Sequence, residues 1–439
     1  MQKTVAYHTL GCKLNFTDTA AIAQQMQTAG YHKVAFEQSA DVYIINTCSV
    51  TQNADSECRS IVNKIQRQAP EAFVIITGCY AQLKPHLIAT IPGVDMVIGA
   101  QDKFSIVEHI NRLSKDETIV QACEITDVTA FTAATSGEER TRVFMKVQDG
   151  CDYSCSFCTI PLARGASRSD TIDNVISRIH SAIEAGAQEI IFTGVNLGDF
   201  GIDPISRKRT ADFTKLVLAI EKEKFNCRFR ISSIEPNLLT DEIIDCVSQS
   251  TIWMPHFHIP LQSGSNKILK QMRRRYLRES YAARVAYIKQ QMPHCCIGVD
   301  VITGFPGETD DDFIETYQFL EQLPVSYLHV FTYSERDHTL ATTIADAVPP
   351  NIRKARTNKL RSLSHLKYAG FIEANRHETH RVLFEADNKN GHMHGFTSNY
   401  IKVKTNYNAD FINKLIDCNI SYIESNNEAN IVLLQPQLS

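Results

Sequence analysis

Residues 146–165 read KVQDGCDYSCSFCTIPLARG and place Cys151, Cys155 and Cys158 in a C-x3-C-x2-C spacing. The triplet directly follows a strand candidate, Val143 to Val147, so its thiols share one tight loop at a strand end. Three thiolates so placed can hold three irons of a 4Fe-4S cluster. No fourth Cys lies nearby, which leaves one iron open, whereas electron carriers normally have all four irons ligated by Cys. A structural zinc site would want a fourth Cys or His at short spacing, and the nearest His, His180, lies well into the next helix.

Outward from this loop, to about Tyr333, strands are expected at Val143 to Val147, Glu189 to Thr193, Arg228 to Ser232, His256 to Pro260, Cys296 to Ile302 and Val325 to Val330. Each is followed by a helix-length segment. Six such units are too few for a closed eight-stranded barrel, and right-handed crossovers curl them into a partial (β/α)6 barrel. Polar or Gly-rich turns then share its mouth: Thr193 to Gly201 (TGVNLGDFG), Ser232 to Pro236 (SSIEP), Leu261 to Asn266 (LQSGSN) and Thr303 to Thr309 (TGFPGET). Each alone reads as a βα turn with a helix cap; four in register mark a ligand-binding face.

Upstream, Thr4 to Thr9, Asp41 to Asn46, Phe73 to Thr77 and Asp95 to Ile98 are strand candidates, alternating with helical patterns at Thr17 to Ala29, Ala54 to Gln68 and Lys103 to Leu113. This predicts an open parallel α/β sheet. Cys12 (TLGCKLN), Cys48 (INTCSV) and Cys79 (TGCYAQ) each follow the carboxyl end of a predicted strand. Those ends share one edge, where open α/β folds bind ligands, so the three can meet in space. One such Cys alone reads as a small buried hydrophobe; three at equivalent positions argue for a second three-Cys cluster site.

The expected organisation is an α/β chain: an N-terminal open parallel domain (1–128), a polar linker (129–142), the partial barrel (143–374) and a small antiparallel β-barrel (375–439). In the last part Val382 to Glu385, Tyr400 to Lys404, Asn419 to Glu424 and Ile431 to Leu434 are strand candidates. The 439 residues are 43% hydrophobic and 21% charged, which excludes intrinsic disorder. Thirteen Cys is an odd count in a chain long enough to fold unstapled, so metal or sulfur chemistry explains them better than disulfides. No stretch approaches a membrane span and no leader is legible, which predicts a cytoplasmic protein. The formal charge of −4 means that any nucleic acid must be met by local basic patches. Two are candidates: Lys267, Lys270, Arg273, Arg274, Arg275 and Arg278, and the segment Arg353 to Arg381. Tyr400, Phe396 and Tyr407 could stack a base or pack a small barrel. Cys58, Cys123, Cys227, Cys246, Cys295, Cys296 and Cys418 lack ligand spacing, and His256 with His258 reads as a core pair.

These features resemble the methylthiotransferase family of the radical S-adenosylmethionine superfamily over essentially the whole chain. Val382 to Thr405 looks like that family's RNA-binding TRAM barrel. HTLGCKLN, TGCYAQ, KVQDGCDYSCSFCTIPLARG, TGVNLGDFG, ISSIEP and HIPLQSGSNKILKQMRRRY most resemble its threonylcarbamoyladenosine branch, although Asn196 stands where that branch has His. The other branches act on isopentenyladenosine in tRNA or on a ribosomal-protein aspartate; a non-catalytic iron-sulfur RNA-binding protein is the alternative from another class.

The resemblance implies two 4Fe-4S clusters. Cys151, Cys155 and Cys158 hold the radical cluster, whose open iron binds S-adenosylmethionine for cleavage to a 5′-deoxyadenosyl radical. Cys12, Cys48 and Cys79 hold the auxiliary cluster, which handles sulfur. Gly194, Asn196, Ser233, Glu235, Gln262 and Asp300 are the named cofactor contacts. The partners implied are tRNA, an electron-donor protein and a sulfur source. The product is a methylthio group on C2 of the modified adenine next to the anticodon.

Overall fold

The runs Tyr43-Ile44-Ile45 and Val74-Ile75-Ile76 are apolar at successive positions, and such strands must be covered on both faces of their sheet. In the computed structural model, which describes residues 3–48, 52–115, 117–136, 141–423 and 429–433, they are. The N-terminal elements are β1 (Thr4–Thr9), α1 (Lys13–Thr28), β2 (His32–Lys33), β3 (Val42–Thr47), α2 (Gln52–Gln68), β4 (Phe73–Gly78), α3 (Cys79–Leu83), α4 (Pro85–Ala89), β5 (Met96–Ile98), α5 (Ile106–Ile110) and β6 (Ile119–Gln121). Their six strands pair in parallel in the order β2-β1-β3-β4-β5-β6. One face packs Tyr43, Ile45, Val74 and Ile76 against Val62 and Ile65 of α2. The other packs Ile44 and Ile75 against Ile22 and Met26 of α1 and Ile106 of α5. The short edge strands β2 and β6 lack an apolar run and were not expected.

The central elements are β7 (Ala134–Thr135), β8 (Arg142–Lys146), β9 (Gln148–Asp149), α6 (Ile160–Arg164), β10 (Arg168–Ser169), α7 (Ile172–Glu184), β11 (Glu189–Thr193), α8 (Phe213–Glu223), β12 (Arg228–Ile231), α9 (Asp241–Gln249), β13 (His256–His258), α10 (Asn266–Gln271), α11 (Arg278–Gln291), β14 (Cys296–Thr303), α12 (Asp310–Gln322) and β15 (Tyr327–Thr332). All six expected strands are present, in two sheets ordered β12-β11-β8-β7 and β13-β14-β15. Isolated parallel bridges, Phe229 with Trp253 and Ser233 with His258, carry the curl across the gap. The turns are helix caps as well: Thr309 and Asp312 form a reciprocal capping box on α12, and Thr171, Asp212 and Thr240 cap α7, α8 and α9. Part of the stretch expected to be a linker is ordered, since β7 pairs antiparallel with β8. Linker residues 137–140, and Glu424 and Leu434 of the last expected strands, lie outside the described residues.

After α13 (Pro350–Ala374) come β16 (Thr379–Phe384), β17 (His392–Phe396), β18 (Lys402–Asn406), β19 (Leu415–Ile423) and β20 (Ala429–Leu433), which close a barrel in the order β16-β17-β18-β20-β19. Its pairs are antiparallel except for a short parallel contact between β18 and β20. Cys296 and Phe371 share its apolar core, whereas Cys295 points into the core of the central segment. The two adjacent thiols thus face opposite ways, as strand geometry requires.

Candidate active site

β1, β3 and β4 are neighbours, and Cys12, Cys48 and Cys79 lie just past their carboxyl ends. A Cβ added to Gly11 would fall 2.6 Å from the Cys48 sulfur, so the Cys12 loop lies directly on Cys48. The edge is held by Asn15, whose amide donates to the carbonyls of Leu10 (2.8 Å) and Thr47 (3.0 Å), while Asn46 donates back to the Asn15 carbonyl (2.9 Å).

Cys151, Cys155 and Cys158 occupy the loop between β9 and α6, at the carboxyl end of the central sheet. Backbone N–H groups of Tyr153 and Ile160 donate to the sulfurs of Cys151 (3.4 Å) and Cys158 (3.5 Å), and Arg274 donates to Cys155 (3.1 Å). Burial pushes the thiols of Cys151 and Cys158 up to about 12, and raises Cys155 against the opposing charge of Arg274. Loading such thiols with metal expels their protons, and the donors already aimed at sulfur suit the thiolate form. Among the described residues no three His, Cys, Asp or Glu side chains converge tightly enough for a single metal ion.

Of the expected cofactor contacts, Gly194, Asn196 and Glu235 reach this loop through Gln148 and Arg274, whereas Ser233, Gln262 and Asp300 are joined to one another. Glu235 pairs with Arg274, which joins it to Cys155. Gln148 accepts from the Asn196 N–H (2.8 Å) and donates to the Gly150 carbonyl (2.7 Å), while Gly194 packs on the Gln148 side chain. Asn196 is 3% exposed, yet its side-chain oxygen and nitrogen both lack partners, as befits a group awaiting a polar ligand. Ser233 contacts His258 (2.6 Å) and His258 contacts Asp300 (2.9 Å). Gln262 adopts a left-handed φ of 69° as it joins β14 through its N–H to the Asp300 carbonyl. The residues present therefore fit an iron-sulfur cluster with a polar organic ligand beside it.

Sequence reasoning did not find the junction between the two cysteine sites. α3, which starts at Cys79, packs on α6, which follows Cys158. Arg164 of α6 donates to Asp149 (2.9 Å), Asn15 (2.6 Å) and Asp18 (3.2 Å), and its side chain also bonds Cys79. Asp18 further receives Lys103 and Lys146, each at 2.7 Å, and Arg168 lies 3.6 Å from Asp149. All these side chains are nearly fully buried. Burial opposes charge on both carboxylates, but the cations outweigh it and hold Asp18 and Asp149 well below the usual carboxylate range. Cations exceed carboxylates here, so the surplus lies beside Cys79 and Cys12, where it counters the negative charge of thiolates. Burial raises the Cys79 thiol while Arg164 opposes that rise.

The two basic patches are partly used internally. Arg353 bonds Glu335, and Arg356 bonds Glu308 and Asp310, with both guanidinium groups buried. Arg274 serves Cys155, and Arg275 stacks on Tyr153 at 3.8 Å. Phe396 and Tyr400 stack on each other and meet Arg142 and Arg230 at the foot of the central sheet, while Tyr407 stays exposed. His258 is a member of the Ser233–Asp300 chain rather than a core residue; His256 is buried, 3.2 Å from the Tyr327 hydroxyl. The remaining cysteines are buried, except the half-exposed Cys123 and Cys246.

Residues 4–99 match the uncharacterized protein family UPF0004 and residues 145–320 the radical SAM superfamily. A threonylcarbamoyladenosine tRNA methylthiotransferase MtaB from Bacillus subtilis (strain 168) is 38% identical over 431 residues, spanning 95% of this chain and 93% of that protein. A protein of the same name from Aquifex aeolicus (strain VF5) is 36% identical, spanning 91% of this chain and 96% of its own length. A tRNA-2-methylthio-N(6)-dimethylallyladenosine synthase from Desulfotalea psychrophila is 31% identical over 81% of this chain and 82% of that protein. Among solved structures, the radical S-adenosylmethionine methyltransferase TsrM from Kitasatospora setae shares the fold, with a TM-score of 0.56 and 13% identity over 75% of this chain and 73% of that one.

Proposed function

Because the chain belongs to the radical S-adenosylmethionine methylthiotransferase family, and is thus a sulfur-inserting enzyme, we propose that it places a methylthio group on C2 of N6-threonylcarbamoyladenosine 37, next to the anticodon of tRNA. The observation that carries this reading is the joining of two cysteine triplets through the α3–α6 contact and Arg164. The substrate branch rests on the relatives named above.

In this reading Cys151, Cys155 and Cys158 hold the cluster that, when loaded and reduced, supplies a 5′-deoxyadenosyl radical from S-adenosylmethionine. An adenine C2–H has no acidic proton for a general base, so a cofactor-borne radical is the agent the step requires. Arg274 orients Cys155 and holds Glu235 ready beside the cofactor; Asn196 offers its unpartnered amide. Cys12, Cys48 and Cys79 hold the second, sulfur-carrying cluster, with Arg164 spanning the distance to the radical loop. The C-terminal barrel, read as a TRAM domain, holds the RNA. An electron donor and a sulfur source complete the partners, and the cytoplasm, where tRNA is modified, is the expected compartment.

The test separates the two triplets. Cys155→Ala should abolish 5′-deoxyadenosine production and leave tRNA unmodified. Cys48→Ala should still cleave S-adenosylmethionine under strong reductant yet form no methylthio-adenosine. Mass analysis of tRNA nucleosides and of 5′-deoxyadenosine reads both outcomes, with thermal unfolding of each variant compared with apo wild type. Methylthiolated tRNA from folded Cys48→Ala protein would sink the two-cluster reading. Methylthio on isopentenyladenosine alone would move the chain to the other tRNA branch.

A further inference from the structure

The interior bounded by the amino end of α1, the inner side of β8 and the C-terminal barrel gathers three cations, Arg142, Arg230 and Lys13. Arg142 is matched by Glu385 at 2.8 Å, and Arg230 by Glu189 at 3.0 Å. Lys13, the residue after Cys12, is a third cation among them: its ammonium lies 5.9 Å from the centre of the Phe144 ring and within electrostatic reach of Tyr400, Arg142, Arg230 and Glu189. Among the described residues no carboxylate pairs with it. Lys13, like Cys12, His258, Asp300 and His329, keeps accessible surface. Lys13 thus borders a space open to a ligand. An ammonium with no salt-bridge partner gains a charge-assisted hydrogen bond from an arriving carboxylate. The amino end of α1, on which Lys13 sits, adds partial positive charge.

We propose that Lys13 is a substrate-specificity residue that receives the carboxylate of the threonylcarbamoyl group on N6 of the target adenine. The inference rests on the threonylcarbamoyladenosine reading above. C2 and N6 flank N1 on the same edge of adenine, so a base presenting C2 to a sulfur carried at Cys12, Cys48 and Cys79 turns its N6 substituent toward residues beside those cysteines. Lys13 is covalently next to Cys12, and Phe144 supplies an apolar wall for the threonine methyl group.

The experiment measures affinities of the full-length, anaerobically reconstituted protein for three anticodon stem-loops, carrying adenosine, N6-threonylcarbamoyladenosine, or the analogue whose threonine carboxylate is a carboxamide. Wild type should prefer carboxylate to carboxamide by about tenfold or more, the size of a charge-assisted hydrogen bond. Lys13→Gln should bring that ratio near one, and Lys13→Arg should keep it; because the ratio is internal to each protein, a general loss of RNA affinity cancels. An unchanged ratio in Lys13→Gln would overturn the assignment. So would wild type that favours both modified loops over adenosine but does not tell carboxylate from carboxamide, a result that needs no variant to fold and leaves the substrate reading standing. That same result is expected if the anion bound by Lys13 is an RNA phosphate or the cofactor's own carboxylate. Wild type indifferent to all three loops would overturn both the substrate reading and the role of Lys13.

Discussion

Arg164 illustrates how much one side chain carries here. It sits within hydrogen-bond distance of Asp149, Asn15 and Asp18 and bonds Cys79, nearly fully buried. Arg164→Met removes the cation and leaves buried carboxylates short of a partner, a loss of about 3–5 kcal/mol. Urea unfolding at neutral pH checks it; a loss below about 1 kcal/mol would mean that Lys103, Lys146 and Arg168 suffice. The pH dependence follows from depressed pKa values. A carboxyl held below its unfolded value stabilises the fold fully above the unfolded pKa of about 3.9, and that stability is lost as pH falls toward the folded pKa. Wild type should therefore resist acid down to low pH. Arg164→Met, in which Asp149 is depressed less, should unfold at a higher pH, as followed by circular dichroism.

Elements position the second cysteine site through the close approach of parallel strand ends. Gly78 ends β4 with φ of 98°, and a Cβ there would lie 2.3 Å from the Thr47 carbonyl oxygen and 2.5 Å from the Asn46 side-chain oxygen. Gly30, with φ of 89°, has nothing within 4 Å of a built Cβ and so isolates the cost of the backbone conformation. Gly30→Ala should cost about 1–2 kcal/mol. Gly78→Ala should cost clearly more, because the β3–β4 edge must open, and should lower bound iron after reconstitution toward the content of one cluster. Equal stability losses with full iron in both variants would show that the close approach is not limiting. The element order was readable wherever apolar runs and caps were long. The two-residue strands β2, β7, β9 and β10 carry no period of their own and exist because a neighbour offers them hydrogen bonds.

At the scale of the whole molecule the C-terminal barrel is fastened to the central segment. Arg228 donates to the Arg381 carbonyl at 2.6 Å, Arg230 to that of Ser398 at 3.0 Å, and Asn399 to that of His294 at 3.1 Å. Deleting residues 375–439 would uncover the cluster that includes Cys296, Phe371 and Ile372 and strip partners from Arg142 and Arg230, so loss of RNA binding in a truncated chain would be confounded. Point changes at exposed cations ask the question without that damage. Lys389, Lys414 and Arg381 lie exposed on the barrel. If they touch tRNA phosphates, replacing each with Ala should flatten the slope of log K against log salt by ~0.7–0.9 per contact, with iron content unchanged. An unaltered slope in the triple variant would remove these three cations from the RNA interface. No described helix is long and apolar enough to cross a membrane.

The sequence alone placed Cys151, Cys155 and Cys158 on one loop, because a C-x3-C-x2-C spacing is local: its geometry depends on neighbours in the chain. It also placed Cys12, Cys48 and Cys79 on one edge, because parallel strands align their carboxyl ends whatever the loops between them contain. Only the tertiary structure decided which charged residues face solvent and which serve each other. Arg353 and Arg356 read as part of a basic helix yet turn inward to Glu335 and Glu308, and Arg164 finds Asp18 across 146 residues of sequence. Such pairings depend on how separately folded surfaces dock, and no period or motif in the chain records that docking. Lys13 belongs to the same class: its sequence neighbours place it beside a cysteine, but its lack of a carboxylate partner among the described residues is a property of the surfaces closed around it.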